Sequence, residues 1–248
     1  MRGRLTALLE LEGIGKAFGR VVVADDLSFS VARGEILGIV GPNGAGKTSL
    51  LNLVTGSLSP DQGRIVLGGT DISKLPIHDR ARLGISRTFQ IPLPFSGLTV
   101  FENVLLAATH AGANRQDDAG STSVSVEALE RAQLLPRANL VADSLRLLDR
   151  KRLELARALA ARPQLLLLDE IAGGLTEPEV EELITTINGL KADGMTILWI
   201  EHIVEALLSV VDRLIAMDVG RKLAEGEPHK VLARPEVQAV YLGQEAIA

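Results

Sequence analysis

Residues 41–48 of the chain are Gly41-Pro42-Asn43-Gly44-Ala45-Gly46-Lys47-Thr48. This run fits the phosphate-loop pattern G-x-x-x-x-G-K-[ST], and it lies between a strand-like apolar segment and helix-forming residues. Glycines let successive backbone N–H groups turn toward an anion, and the following helix directs the positive end of its dipole at the same place. Lys47 adds a positive charge for the β- and γ-phosphates, and the Thr48 hydroxyl can bind Mg²⁺. The pattern predicts that these residues, with the following Ser49, bind a nucleoside triphosphate; a glycine-rich turn that only happens to precede a helix is the alternative.

Length and composition narrow the classes of protein to which the chain can belong. With 248 residues, 46% of them hydrophobic and 23% charged, it suits one large domain, with or without a small inserted lobe. The net charge of −5 provides no basic surface, so we expect no nucleic-acid partner. The absence of cysteine excludes disulfides and is consistent with a reducing cytosol. Because Glu10 and Glu12 interrupt the apolar stretch near the start, and no run approaches the ~18 apolar residues of a membrane span, we expect neither a signal peptide nor a membrane helix.

The first part of the chain has the pattern of short strands. Residues 7–35 alternate between apolar and polar side chains, with turn signals at 19–20 and 32–34, which predicts an antiparallel β subdomain. We expect a helix over 47–55, directly after the phosphate loop, and further short strands near 64–67 and 86–90.

The middle of the chain changes to helical periodicity. Residues 100–110 and 126–135 are predicted helices, and the polar segment 112–123 between them is predicted to be a mobile loop. We interpret 98–143 as an inserted α-helical subdomain of a single domain, 1–248, in which 1–97 and 144–248 form the nucleotide-binding α/β core.

The last part of the chain alternates helices with buried strands. A helix over 150–161 precedes four consecutive leucines, 165–168, which are typical of a central parallel strand covered on both faces. Thr176-Glu177-Pro178-Glu179 has the sequence of a capped helix start, and residues 195–200 form another apolar strand. The fold class predicted is α/β, a phosphate-loop NTPase core whose loop lies at the carboxyl edge of a twisted sheet.

Two acidic residues, Asp169 and Glu170, directly follow the leucine strand. Beside a phosphate loop, Asp169 is suited to hold Mg²⁺ through water, and Glu170 is suited to polarise a water for in-line attack on the γ-phosphate. The alternative is that the strand simply ends in solvated acids.

At this point the chain resembles a known family, the ABC-type ATPases, which are the nucleotide-binding subunits of membrane transporters. Thr88-Phe89-Gln90 resembles the Q-loop, Gly173-Gly174-Leu175-Thr176 the D-loop, and Trp199-Ile200-Glu201-His202 the switch-histidine motif. The resemblance implies ATP as substrate, catalytic roles for Glu170, His202 and Gln90, and Mg²⁺ held by Thr48, Gln90 and Asp169. It also implies that Phe18 stacks on adenine, although a core aromatic there and a core histidine at position 202 are open alternatives.

Other stretches are similar to one subfamily. Residues 87–92 and 98–104, together with Tyr241-Leu242-Gly243, resemble the ATP-binding subunits of Liv-type importers for branched-chain amino acids, and relatives in lipopolysaccharide export. The resemblance implies three partners: a second ABC ATPase, transmembrane permease subunits and, indirectly, a solute-binding protein. It implies a cytoplasmic subunit held on the inner face of the cell membrane. Urea or other amides, aromatic acids and lipids are alternative cargoes, and exposed apolar residues at 91, 93, 95 and 98 suggest either a groove for a permease helix or ordinary lobe core.

The chain departs from the family at the signature motif, usually L-S-G-G-Q. Leu145-Arg146-Leu147-Leu148-Asp149 stands in its place, and Ile171 replaces the proline that usually follows the catalytic glutamate. Leu148 and Asp149 are expected to oppose a close approach to the nucleotide of the opposite subunit, and Arg146 to compensate in part. We therefore expect an asymmetric heterodimer, with a low-turnover nucleotide switch as an alternative. A soluble ABC protein acting on DNA or ribosomes is disfavoured because the chain lacks coiled coils, tandem ATPase domains and a basic surface.

Overall fold

The computed structural model describes residues 7–110 and 118–245. The strands are β1 Ala7–Phe18, β2 Val21–Ala32, β3 Ile36–Val40, β4 Gln62–Leu67, β5 Thr70–Asp71, β6 Ile85–Arg87, β7 Leu165–Asp169, β8 Thr196–Ile200, β9 Arg213–Asp218 and β10 Arg221–Gly226. The helices are α1 Lys47–Thr55, α2 Ile77–Arg82, α3 Val100–His110, α4 Asp118–Arg131, α5 Leu147–Ala160, α6 Glu177–Ala192, α7 Val204–Leu208, α8 Pro228–Leu232 and α9 Pro235–Glu245. Two short 3₁₀ turns, Leu135–Arg137 and Ala142–Ser144, lie between α4 and α5.

The strands form two sheets. A four-stranded sheet has the order β2-β1-β4-β5, and a six-stranded sheet has the order β10-β9-β3-β8-β7-β6. In the larger sheet β3, β6, β7, β8 and β9 are parallel, while β10 pairs antiparallel with β9. The mixed α/β fold with an N-terminal antiparallel sheet, predicted from the sequence, is therefore confirmed.

Strand β7 shows why the leucine run is central. All four leucines are fully buried, but they alternate between two separate cores. Leu166 and Leu168 pack in a core shared with α3, α4, α5 and α6, whereas Leu165 and Leu167 pack in a core shared with α1 and the antiparallel sheet. Successive side chains of a strand point to opposite faces, so a strand covered on both faces must be apolar at every position.

The N-terminal hairpin follows the predicted pattern. Strands β1 and β2 pair antiparallel up to Phe18 and Val21, with the turn at Gly19-Arg20, and β4 pairs with the other edge of β1. This sheet covers α1, because the apolar alternate positions of β1 and β2 face the same core as that helix.

The predicted strand over 86–90 is wrong in its second half. Strand β6 ends at Arg87, and although the Thr88 N–H still donates to the Leu167 carbonyl at 2.9 Å, the chain then leaves the sheet. Phe89 is 54% exposed, and Gln90 is also exposed. Prolines at 92 and 94 lack the N–H that a further strand residue would need, so the segment continues as a loop.

The prediction for the middle segment is also wrong in part. Residues 118–123, predicted as loop, are the first turns of α4, and the helix ends at Arg131 rather than near 135. Within α4 the buried Ser125 hydroxyl donates to the Ser121 carbonyl at 2.7 Å, so this serine is satisfied inside the helix. Gln133, in the left-handed region with φ of +56°, turns the chain after α4. Residues 112–117 of the predicted loop lie outside the described residues.

Two helix starts bear directly on the site. Helix α6 begins with the predicted capping box, in which the Glu179 carboxylate accepts from the Thr176 N–H at 2.9 Å and from its hydroxyl at 2.8 Å. Helix α5 begins at Leu147, earlier than predicted. Across 7–110 and 118–245, no helix has both the length and the apolarity required to cross a membrane.

Candidate active site

The phosphate loop connects β3 to α1 and is held from one side. Gly44 and Gly46 both lie in the left-handed region, with φ of +85° and +96°. A β-carbon at Gly46 would stand 2.3 Å from the Val23 carbonyl oxygen of β2, whereas a β-carbon at Gly44 would meet nothing within 4 Å. Gly46 therefore lets the loop pack against the antiparallel sheet, and Gly44 leaves the outer side of the loop open to a ligand.

Lys47 folds back over this loop. Its Nζ donates to the Gly41 carbonyl at 2.7 Å and to the Pro42 carbonyl at 3.0 Å, and the residue is only 6% exposed. Burial lowers the pKa of Lys47, while the negative charges of Glu170 and Asp169 oppose that shift. The ammonium is thus fixed at the loop, close enough to both acids to feel their charge.

Thr48, exposed at the first turn of α1, and the half-buried Ser49 follow Lys47. Among 7–110 and 118–245, no group of three or more His, Cys, Asp or Glu side chains could hold a metal by itself. Thr48, Gln90 and Asp169 instead offer hydroxyl, amide and carboxylate oxygens, which suit Mg²⁺ because that ion keeps several waters and binds substrate phosphates. The donor set therefore fits a magnesium ion that arrives with a nucleotide.

Asp169 is the last residue of β7 and is paired with a buried arginine. Its Oδ2 lies 2.6 Å from Arg87 Nη2, and Arg87 Nη1 donates to the Asn52 side chain of α1, also at 2.6 Å. Both charged side chains are almost wholly buried, at 8% and 7% exposure. Arg87 therefore ties the acid at the end of β7 to the helix that follows the phosphate loop.

Glu170 has an unusual backbone that aims its side chain. Its φ of +46° lies in the left-handed region, which is uncommon for a residue other than glycine, and its N–H donates to the Ile200 carbonyl at 2.9 Å. The carboxylate Oε2 accepts a hydrogen bond from Gln90 Nε2 at 2.7 Å and lies 3.7 Å from His202 Nδ1. The three residues come from three separate loops, so this strained turn brings all of them to one point.

The alternatives for Phe18 and His202 can be decided from exposure. Phe18, at the tip of the β1–β2 hairpin, is 55% exposed, and the Lys16 ammonium lies 5.4 Å from its ring centroid. The His202 side chain is 54% exposed. Neither is a core residue, and β2 passes directly from the tip of the hairpin to Val23, which contacts the phosphate loop.

Glu201 has a positioning role that the sequence analysis missed. It is fully buried, and its carboxylate accepts from the Ala172 N–H at 2.7 Å and from the His202 N–H at 3.2 Å. Burial raises the pKa of Glu201, and these backbone hydrogen bonds oppose the rise. One acid therefore holds both the segment after Glu170 and the segment of His202. An acidic residue at the end of a fully apolar strand was the available signal.

The signature segment differs from expectation. Arg146 and Leu147 are exposed at the start of α5, whereas Leu148 and Asp149 are 6% and 4% exposed. Because successive helix residues turn by ~100°, the fourth and fifth residues of the segment rotate inward. The expectation that Leu148 and Asp149 obstruct the partner is therefore wrong.

The two buried side chains of this segment have structural partners. Leu148 packs in the core with α3 and α4. The Asp149 carboxylate pairs with Arg137, and its Oδ1 lies 3.8 Å from Arg152 Nη1. Ile171, the other departure from the family, is 2% exposed in the same core. Only Arg146 and Leu147 remain at the surface where a nucleotide-bearing partner could meet the helix.

An apolar surface lies beside Gln90. Ile91, Leu93 and Phe95 are 70%, 74% and 49% exposed, while Leu98 is half-buried. A cavity of about 280 Å³ opens next to them, and its walls include Ile77, Phe89, Ala107 and Arg157. The interpretation of 91, 93 and 95 as ordinary lobe core is therefore wrong.

The chain is similar to ATP-binding proteins of ABC transporters along nearly its whole length. Residues 24–173 match the sequence model of a family described as "ABC transporter". BraF of Pseudomonas aeruginosa, a high-affinity branched-chain amino acid transport ATP-binding protein, is 34% identical over an alignment of 250 positions. The alignment covers 96% of this chain and 98% of BraF. LptB of Acidithiobacillus ferridurans, a lipopolysaccharide export system ATP-binding protein, is 36% identical over 97% of this chain and 99% of LptB. An ATP-binding cassette of an ABC transporter, solved in its ADP conformation, superposes with a TM-score of 0.87 at 31% identity, covering 96% of this chain and 99% of that one.

The two loop glycines provide a matched test of how the phosphate loop is held. Alanine is strained at both positive φ values, but only at Gly46 does the β-carbon also collide with the Val23 carbonyl. We expect Gly46→Ala to lower the free energy of unfolding by about 2 kcal/mol more than Gly44→Ala. Urea denaturation without nucleotide measures both, and equal losses would contradict this account of the loop.

Proposed function

The chain belongs to the ABC transporter family as an ATP-binding, ATP-hydrolysing subunit, and on that premise we propose that it powers import of a small solute, with branched-chain amino acids as the leading cargo. One observation carries the chemical part of the proposal. The Glu170 carboxylate accepts from Gln90 at 2.7 Å, lies 3.7 Å from His202, and affects the pKa of Lys47 at the phosphate loop. A base, an amide and an imidazole thus meet beside the cation that binds terminal phosphates.

Each residue has a role that follows from its position. The N–H groups of 41–48 and the Lys47 ammonium bind the β- and γ-phosphates, and Phe18 stacks on the adenine. Gln90 orients the attacking water, Glu170 accepts its proton, and His202 contacts the γ-phosphate. Thr48, Gln90 and Asp169 would hold Mg²⁺, which would supply charge neutralisation at the phosphate oxygens. Hydrolysis therefore depends mainly on positioning and electrostatics.

Arg87 prepares Asp169 for this role. The ion pair uses Oδ2, so the other carboxylate oxygen would be available to a metal ion. Since Arg87 also holds Asn52 of α1, Asp169 keeps a constant position relative to Thr48, which begins the same helix. The donors from β7 and α1 are thereby preorganised.

The proposed partners follow from two surfaces. The cavity bordered by Phe89 and the exposed side chains of Ile91, Leu93 and Phe95 fit an apolar helix of a transmembrane permease subunit. Such docking holds the chain against the inner face of the cell membrane. The second surface, at Arg146 and Leu147, faces a second ABC ATPase, and a solute-binding protein acts through the permeases.

The asymmetric heterodimer remains part of this proposal in a narrower form. The motif residues that form this chain's own nucleotide site are all present in the sequence. By contrast, Arg146 and Leu147 replace a serine and a glycine on the surface offered to the partner's nucleotide. Leucine bulk at position 147 obstructs the close approach that glycine permits. The partner's site is therefore the weaker of the two.

Replacing Glu170 with Gln tests the base. We expect the ATP hydrolysis rate to fall by about 10²-fold or more, because the amide cannot accept the proton, while the Kd for ATP changes little. Phosphate release and binding of a fluorescent ATP analogue measure the two effects, and Glu236→Gln, on the exposed face of α9, is the matched control. Unchanged hydrolysis in the Glu170 variant would favour the low-turnover nucleotide switch instead.

Two neighbouring leucines test the heterodimer. In the chain purified alone, we expect Arg146→Ser with Leu147→Gly to raise ATP turnover by about tenfold or more, since it restores the donors and the close approach at the exposed positions. Leu148→Gly is the control: it empties a buried site and is expected to cost about 3 kcal/mol of stability without raising turnover. If the wild-type chain alone already turns over as fast as the restored variant, no asymmetry is needed.

The cargo is tested by reconstitution with the permeases. We expect a solute-binding protein loaded with leucine, isoleucine or valine to stimulate ATP hydrolysis several-fold in vesicles, because loaded binding proteins favour the closed ATPase dimer. The names of BraF and LivG of Escherichia coli, both 34% identical to the chain, support this choice. Stimulation by urea, an aromatic acid or lipopolysaccharide instead would transfer the proposal to that cargo, and the last agrees with the name of LptB.

A further inference from the structure

Lys151 is a buried lysine of α5 that the roles above do not use. The residue is 3% exposed, and its Nζ donates to the Gln90 carbonyl at 2.6 Å and lies 3.4 Å from the Glu170 carbonyl. These carbonyls belong to the two loops that carry the amide and the base. A single ammonium therefore contacts the main chain of both, far from its own position in the sequence.

The charges around Lys151 indicate an internal role rather than a ligand site. Burial lowers the pKa of Lys151, and the negative charges of Glu201, Glu170 and Asp169 oppose that shift. In the part of the chain that the structure describes, no carboxylate forms an ion pair with Nζ, so its short contacts are with carbonyl oxygens. Lys151 is therefore bonded to the main chain of this protein rather than left open to a ligand.

The contact of Lys151 Nζ with the Glu170 carbonyl helps to fix the backbone of Glu170. Glu170 has a φ of +46°, and a residue in this region persists only where its surroundings hold it there. Lys151 holds its carbonyl side, while the Ile200 carbonyl holds its N–H. The direction of the Glu170 carboxylate thus depends on both bonds.

Helix geometry connects Lys151 to the surface offered to the partner. Leu147 precedes it by one turn of α5, so the two side chains lie on the same face of the helix. Both line one cavity of about 430 Å³, together with Gln90, Gly174 and His202. A contact of the partner subunit with Leu147 therefore acts on the turn of α5 that ends at Lys151, which bonds the Gln90 and Glu170 carbonyls.

We propose that Lys151 is a positioning residue that joins the partner-facing first turn of α5 to the main chain of Gln90 and Glu170, so that helix and loops move together. The inference rests on the proposed function, because it assigns Lys151 an effect through Glu170. The proposal links the partner-facing surface of α5 to the position of the Glu170 carboxylate in this chain's own site. A misplacement of ~1 Å at a base can reduce turnover by about 10²-fold, so one hydrogen bond is sufficient for control.

Lys151→Met tests the proposal in the full-length chain assembled with its partner subunits. We expect kcat for ATP hydrolysis to fall by about 10- to 100-fold, while the Kd for ATP stays within about threefold, because the phosphate loop is untouched. Lys191→Met is the matched control: Lys191 Nζ donates to the Val210 carbonyl at 2.6 Å and lies 2.7 Å from Asp212 Oδ1, at the opposite end of the sheet. Its kcat is expected to remain that of the wild type.

A double-mutant cycle separates positioning from a loss of structure. If Lys151 acts through Glu170, then Lys151→Met added to Glu170→Gln lowers the residual rate no further, since the base is already absent. A role only in folding would lower kcat and nucleotide binding together, in both backgrounds, and that result would overturn the proposal. So would a kcat of Lys151→Met within about threefold of the wild type.

Two further results complete the test. Should the methionine variant fail to fold, Lys151→Gln replaces it; its shorter amide cannot reach the Gln90 carbonyl, so the same fall in kcat is expected, and a wild-type kcat would overturn the inference. If Glu170→Gln itself leaves hydrolysis unchanged, it is the proposed base that fails. If Glu170→Gln abolishes hydrolysis and neither Lys151 variant affects kcat, only the role of Lys151 fails.

Discussion

Three parallel strands, β3, β8 and β7, lie side by side, and the whole site depends on their ending at the same edge of the sheet. Lys47 follows β3, Asp169 ends β7 with Glu170 directly after it, and His202 follows β8. Because the three strands are parallel and paired in register, the segments that follow them meet at that edge. What the loops add is direction: the left-handed turn at Glu170 is needed because a carboxylate continuing along β7 would alternate with Asp169 across the sheet.

Buried cations bonded to carbonyl oxygens recur through the molecule. Lys47 binds the carbonyls of its own loop, and Lys151 binds those of the two catalytic loops. The guanidinium of Arg80, 1% exposed, donates to carbonyls at the end of α1, including Leu53 at 2.6 Å, and to Leu75 and Ser73. A helix end leaves carbonyls without intrahelical partners, so a buried cation is stabilising there and fixes the segment that carries it. Lys151 and Arg80 each join two segments that are separate in the sequence.

The signature segment buries some of its substituted side chains and exposes others. Substitutions at four of its five positions suggest a damaged surface, yet two of the substituted residues point inward. Asp149 then serves as the partner of Arg137 and Arg152, and Leu148 fills the helical core. Of the four substituted residues, only Arg146 and Leu147 remain exposed. A substituted side chain contacts a partner subunit only where the fold leaves that side chain exposed.

The sequence alone was sufficient for the phosphate loop, the strand of four leucines, the acids at its end and the capped start of α6. These features depend on short-range geometry, such as the positive φ of a glycine or the alternation of a strand, and neighbouring residues state them directly. Even so, the polar segment 112–123 predicts a loop, whereas residues 118–123 belong to α4, because local propensity cannot show that a segment packs as a helix against its neighbours.

Only the tertiary structure decided which side chains meet. The bonds of Arg87 to Asp169, of Gln90 to Glu170 and of Lys151 to the Gln90 carbonyl join residues 82, 80 and 61 positions apart. No local pattern encodes such pairs, since they arise from how the sheet and α5 pack, and the inward rotation of Leu148 and Asp149 has the same origin. Candidate residues for the chemistry can be named from the chain itself, but their distances and directions exist only once both cores have formed.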